Sequence, residues 1–212
     1  MDLRTSVLLA GMMTKPEIIP PEPYEKVDFI QSGENQYINT NITPSSDLEY
    51  FKITFNLQNP ISTSGFGGVF GAEVSGVRSG GIRILSFAVT DGGQGVIYGN
   101  EFNPHLQQNK KITLELKNKI YTTSEGDREE FTDFVQYSTN RKILLFAIQG
   151  TSVSYKSKMK LYEFKMGMNE NNLVIDLIPV LNKQTGEYGM YDTISKQFFG
   201  NLGTGAFSGG ND

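Results

Sequence analysis

Two stretches of strict alternation constrain this chain more than any other feature. Phe51, Ile53, Phe55 and Leu57 interleave with Lys52, Thr54 and Asn56, and Ile112, Leu114 and Leu116 interleave with Thr113, Glu115 and Lys117. Successive side chains of an extended strand point to opposite faces, so each stretch reads as a strand with one face on a core and the other in water. No segment keeps a helical period long enough to compete. Further strands are expected at 27–31, 37–39, 68–72, 82–89, 96–98, 130–137, 142–148, 159–166 and 173–181. Turn signals separate them at Asp91-Gly92-Gly93, Glu125-Gly126-Asp127, Asn169 to Asn172 and Thr185-Gly186. With 23 Gly, 14 Phe and 10 Tyr, the composition is one of strands and turns. The expected fold is all-β, two packed antiparallel sheets forming a sandwich with its loops gathered at the rims.

The first 25 residues differ from the rest. The apolar run Val7-Leu8-Leu9-Ala10-Gly11-Met12-Met13 is followed by Pro16, Pro20, Pro21 and Pro23, which remove donors and impose extended geometry. The run is far too short to cross a bilayer, and Asp2 and Arg4 precede it rather than a basic cluster, so it reads as neither anchor nor signal. Residues 1–25 are expected to form a docking arm and stiff linker, with Val7, Leu8, Leu9, Met12, Met13, Ile18 and Ile19 as its partner-docking side chains. Packing of this segment on its own domain is the alternative. Residues 26–212 are expected to form the single sandwich domain.

Charge and cysteine content exclude several classes. The net charge is −4 with a pI near 5.2, and the lysines and arginines are scattered, so nucleic acid is not an expected partner. Without cysteine there is no thiol nucleophile, thiolate metal site or disulfide framework.

Two motifs go further. The stretch Phe29-Ile30-Gln31-Ser32-Gly33-Glu34-Asn35-Gln36-Tyr37-Ile38-Asn39-Thr40 resembles the opening strand pair of a laminin-G/concanavalin-like jelly-roll module. Near the other end, Met159 to Lys165, Asp176-Leu177-Ile178-Pro179, Thr185 to Asp192 and Phe198-Phe199-Gly200-Asn201-Leu202-Gly203-Thr204-Gly205-Ala206-Phe207 resemble the ending of the same module. Asn39 stands where that family commonly has Asp, and Gly200 where it has Thr or Ser. The resemblance implies a module used in phage structural and tail proteins and in bacterial surface proteins. The closing motif also has a structural reading. Gly186 and Gly189 permit tight turns, the Asp192 carboxylate ties a turn, and Gly203-Thr204-Gly205 lets the chain kink back so that Phe207 plugs the sandwich end.

Each candidate site has a plainer reading beside it. Glu125, Asp127 and Glu129 have the alternate spacing of the acidic trio of laminarinase-type glycosidases, but Gly126 and Arg128 between them read as a solvated loop. No tryptophan is available to line a sugar cleft. His105, the single histidine, follows Asn103-Pro104 and reads as a turn residue. The oxygen-rich loops Asp91 to Gln94 and Asn169 to Asn172 are candidate sources of Ca²⁺ ligands without a regular spacing, and no cofactor is otherwise expected. The glycines at 65, 67 and 68 and from 76 to 81 lack a following Lys-Ser/Thr and read as strand bends. Tyr98, Tyr137 and Tyr155 are the candidate ligand-contacting tyrosines, with half-buried strand positions as the alternative.

These readings converge on a non-enzymatic virion structural protein, such as a phage head fibre, capsid decoration or tail-associated protein. It would be held to other virion proteins by its arm, be homo-oligomeric and be able to contact host-surface glycan. The alternatives are a glycan-binding adhesion module on a bacterial cell surface and, from a different class, a laminarinase-type glycosidase. No membrane association is expected.

Overall fold

The computed structural model describes residues 18–58, 67–73, 83–89, 94–102, 106–134 and 139–212, and every regular element among them is a β-strand. In chain order these are β1 (Tyr24–Lys26), β2 (Phe29–Gln31), β3 (Ile38–Asn39), β4 (Tyr50–Leu57), β5 (Gly67–Glu73), β6 (Arg83–Val89) and β7 (Gln94–Ile97). Then come β8 (Asn100–Phe102), β9 (Lys111–Lys117), β10 (Ile120–Thr123), β11 (Arg128–Glu130), β12 (Leu144–Leu145), β13 (Ile148–Gln149) and β14 (Val153–Ser154). The last are β15 (Met159–Asn169), β16 (Asn172–Asn182), β17 (Glu187–Asp192), β18 (Phe198–Phe199) and β19 (Ser208–Gly210). The larger sheet runs β11-β10-β9-β4-β15-β16-β17-β18, with β1, β2 and β19 joined at its side. The smaller runs β14-β13-β5-β6-β7-β8, with β12 bridging β5 and β3. The pairing is antiparallel apart from one parallel contact between Gln149 and Ala72.

The chain is an all-β sandwich, as the alternation predicts. Phe51, Ile53 and Phe55 of β4 and Ile112, Leu114 and Leu116 of β9 are buried in one core. The Phe70 ring from the smaller sheet meets Phe51 at 5.1 Å and Phe164 at 5.5 Å, both from the larger sheet, so aromatic contacts join the layers.

Three strand expectations change. The 27–31 strand shortens to Phe29–Gln31, because at Val27 and Asp28 the chain steps across from β16 to β15: Val27 N donates to Pro179 O at 3.1 Å and Asp28 N to Gly210 O at 2.9 Å. The 130–137 strand stops at Glu130 and Phe131 turns into the core, its N–H donating to Lys119 O at 2.9 Å; residues 135–138 lie outside the described residues. The 142–148 strand divides into β12 and β13 around Phe146, whose φ is 65°. Ile143 to Ile148 are all buried, a run that a regular half-exposed strand cannot accommodate.

The expected boundary at residue 25 also moves, because the sheet begins at Tyr24. Tyr24 pairs with Asn182 and Lys26 with Val180, and the Tyr24 ring lies 5.4 Å from Phe198 and 5.1 Å from Tyr191. Ile18, expected in the docking arm, packs with Tyr24 and Phe198 over Ile178, Val180 and Tyr191 on the outer face of the larger sheet. The reason is in β16: Ile178 and Val180 point away from the main core, and covering an aliphatic side chain stabilises by about 1.5–3 kcal/mol. Residues 18–24 therefore pack on the sandwich, while residues 1–17 of the expected arm lie outside the described residues.

The two motif-bearing ends are bonded to each other. Gln36 Nε2 donates to Thr204 O at 2.7 Å, Leu202 N to Tyr37 O at 3.0 Å, and Tyr37 N to Asn201 Oδ1 at 3.2 Å. A Cβ on Gly203 would lie 1.9 Å from Asn35 O, so the close approach of the ends requires glycine there. Phe207 is buried against Phe146 at 4.9 Å, which is the plug the sequence implies. Gly189 is corrected: it sits inside β17, not in a turn, and its missing side chain admits the Phe198 ring.

Candidate functional site

The larger sheet forks. β15 and β16 pair from Phe164 and Leu177 to the hairpin at Asn169 and Asn172. Beyond Phe164 they part, and β2 takes the place beside β15 (Leu161 with Ile30) while β1 takes the place beside β16 (Lys26 with Val180). On the outer face at this fork lies a groove of about 540 Å³. Thr54, Lys111 and Thr113 form one wall, Tyr162, Glu163 and Lys165 the middle, and Lys26 to Asp28 with Ile18, Ile178 and Pro179 the other side.

A bulge builds the middle of the groove. The register of β15 against β4 slips between Leu161 and Glu163, leaving Tyr162 as the extra residue. Leu161 and Phe164 both face the core, so the slip turns Tyr162 and Glu163 toward the groove together, which a regular strand does not allow.

The groove side chains are tied in place. Lys52 Nζ lies 2.6 Å from Glu163 Oε1, and the Thr54 hydroxyl donates to the same oxygen at 3.0 Å. Lys165 Nζ stands 3.8 Å from Glu163 and 3.4 Å from Asp176 Oδ1. Thr54 and Thr113 hydroxyls are 2.9 Å apart. Lys111 Nζ sits 3.8 Å above the Tyr162 ring. Burial works to raise the Glu163 pKa, but the bonds and charges of Lys52, Thr54 and Lys165 together outweigh it and hold the carboxyl below its ordinary value. Burial, then the Asp212 carboxylate that shares its hydroxyl, push the Tyr162 phenol well above its usual range.

Of the three tyrosines expected to contact ligand, the two that are described, Tyr98 and Tyr155, lie away from this groove. Tyr98 is 1% exposed, its hydroxyl donates to Leu48 O at 3.2 Å, and its ring packs on Phe134, so it is a core residue. Tyr155 is half-buried on the smaller sheet's side, with a φ of 52° and its carbonyl accepting from Gly68 N. Tyr137 lies outside the described residues, as do Val7, Leu8, Leu9, Met12, Met13, His105 and Asp91 to Gly93. Of the docking side chains, Ile18 is half-buried on its own domain and Ile19 is 82% exposed.

The acidic trio is divided between a turn and an edge. Glu125 and Asp127 flank Gly126 in the β10–β11 turn, where Asp127 Oδ2 accepts from the Thr123 hydroxyl at 3.0 Å and Glu125 pairs with Lys110 at 2.5 Å. Glu129 is exposed on β11, the outermost strand of the sheet. The spacing that would aim three carboxylates at one cleft is lost in the turn. Asn169 to Asn172 close the β15–β16 hairpin, and the Asn169 side chain accepts from Asn171 N at 2.9 Å.

Sequence reasoning missed Tyr162 and its neighbours, although one signal was present. Met159 and Leu161 keep period two, and Phe164 and Met166 keep it again one residue out of phase. That slip marks the bulge. No protein-family model and no curated protein matches the chain.

Proposed function

We propose that the chain is a non-enzymatic structural module of a phage-type virion, a jelly roll of the laminin-G/concanavalin-like kind that is attached through the residues preceding its sandwich. The interlocked chain ends carry this reading, because the residues that resemble the module's opening and closing motifs bind one another through Gln36, Asn201, Gly203 and Thr204. The attachment has a mechanical basis. Residues 18–26 enter the domain pinned to β16, with Lys183 N donating to Pro23 O at 3.0 Å and Lys183 Nζ 2.8 Å from Glu22. Load on the leading apolar residues would therefore pass into a central strand through backbone hydrogen bonds. A homo-oligomer would add avidity to weak contacts of each arm.

Gold-labelled antibody against residues 26–212 should decorate purified phage particles from the source of the chain. Label confined to a bacterial surface would replace this reading with the adhesion module, and label on neither would overturn both. The glycosidase reading has less support, since its trio is split between a turn and an edge strand.

A further inference from the structure

We infer that Lys165 and Asp176 become joined by a side-chain amide, which the folded chain forms by itself with Glu163 as the proton carrier. Three side chains on the outer face of the larger sheet carry this, whatever assembly holds the domain.

Folding brings the reacting groups together. Lys165 of β15 and Asp176 of β16 are direct partners across the two strands, and Lys165 Nζ lies 3.4 Å from Asp176 Oδ1, with 15% and 9% of the two side chains exposed. Both backbones are fixed. Lys165 is in register with Lys52 of β4 on its other side, while Asp176 N donates to Asp192 Oδ1 at 2.9 Å and Asp176 O accepts from Thr193 N at 2.8 Å. The Asp176 carboxylate is not placed as an ordinary hydrogen-bonded ion pair: Oδ1 is buried and accepts no hydrogen bond, although the ammonium stands beside it. A buried carboxylate oxygen left in that state is costly, and exchanging the charged pair for a neutral amide removes the cost. The third member is Glu163. Its Oε2 lies 3.8 Å from Lys165 Nζ, while Oε1 is held by Lys52 at 2.6 Å and by the Thr54 hydroxyl at 3.0 Å.

The step needs no further reactant. A proton passes within the pair from the Lys165 ammonium to the Asp176 carboxylate, leaving an amine and a carboxylic acid. The amine lone pair attacks Asp176 Cγ, and the new C–N bond makes the nitrogen strongly acidic. Glu163 takes a proton from that nitrogen and returns it to the departing hydroxyl as the C–O bond breaks. One amine and one carboxylic acid become one amide and one water, and Glu163 ends ionised as it began. Free amines and acids do not condense in water, but groups held in contact act at effective molarities that reach about 10⁵–10⁸ M.

The test is the intact mass of the purified, folded full chain, followed by tryptic mapping. The mass should lie one water below that of the sequence. Trypsin should fail to cut after Lys165, so that residues 161–183 emerge as a single peptide lacking that water. Lys165→Arg keeps the charge and cannot form the amide, so its mass should equal its sequence. Glu163→Gln, unable to carry the proton, should slow closure by about tenfold or more in chain made by cell-free translation and sampled over hours. A full-sequence mass for the folded parent chain after a day at neutral pH would overturn the amide. So would a missing water mapped to other residues, or one that persists in Lys165→Arg. Closure in Glu163→Gln as fast as in the parent chain would overturn the part given to Glu163.

Discussion

At the scale of single residues, polar atoms in the interior decide more than their number suggests. The Asp192 carboxylate accepts from Asp176 N at 2.9 Å, Ile194 N at 3.2 Å and Ser195 N at 3.0 Å, and the residue is 2% exposed. Asp192→Ala strands those donors and should cost about 3 kcal/mol in urea unfolding, with Asp192→Asn losing less. The Tyr121 hydroxyl is the reverse case: it is buried and has no partner. Tyr121→Phe should therefore stabilise the domain by about 1 kcal/mol in the same measurement. Glu163 has a pH signature whose sign follows from its lowered pKa. Below the ordinary value of 4.5, the unfolded chain takes up this proton before the folded one. The contribution of Glu163 is thus complete above that value and fades as pH falls through its folded pKa. Urea midpoints between neutral and acidic pH should fall less steeply in Glu163→Gln than in the parent chain.

At the scale of elements, legibility follows the reach of the forces involved. β4 and β9 were readable because one face of each meets a core and the other meets water, which imprints period two on the residues themselves. The run from Ile143 to Ile148 carries no such imprint: it is buried on all sides, so the bend at Phe146 could not be placed. The groove was harder still, since it joins β4, β9, β15, β16 and the β1–β2 crossing, and no local pattern records which distant strands meet. Only the phase slip around Tyr162 was visible in the chain, and tyrosines in regular positions drew attention instead. The closing loop offers a clean test at this scale. Gly203→Ala forces a Cβ onto Asn35 O and should destabilise by about 2 kcal/mol, as overpacked sites do. Gly210→Ala, with open space around it, should stay within about 0.5 kcal/mol of the parent.

At the scale of the whole molecule, the outer face of the larger sheet is the organising surface. It receives the incoming chain over Ile178 and Val180, holds the charged ladder from Lys52 to Asp176, and opens into the groove between them. Removing residues 1–24 would bare Ile178, Val180 and Tyr191 and take away part of β1, lowering stability by about 3 kcal/mol. Removing residues 1–17 leaves the described cover of Ile18 and Tyr24 in place, and the unfolding midpoint should stay near that of the full chain. That difference separates the domain from its leader and makes the attachment claim testable without confusing it with misfolding. The most direct measurement is co-sedimentation of the full chain and of residues 18–212 with phage particles from the same source. The full chain should pellet with the particles while residues 18–212 remain in the supernatant. Equal pelleting of both chains, or of neither, would contradict it.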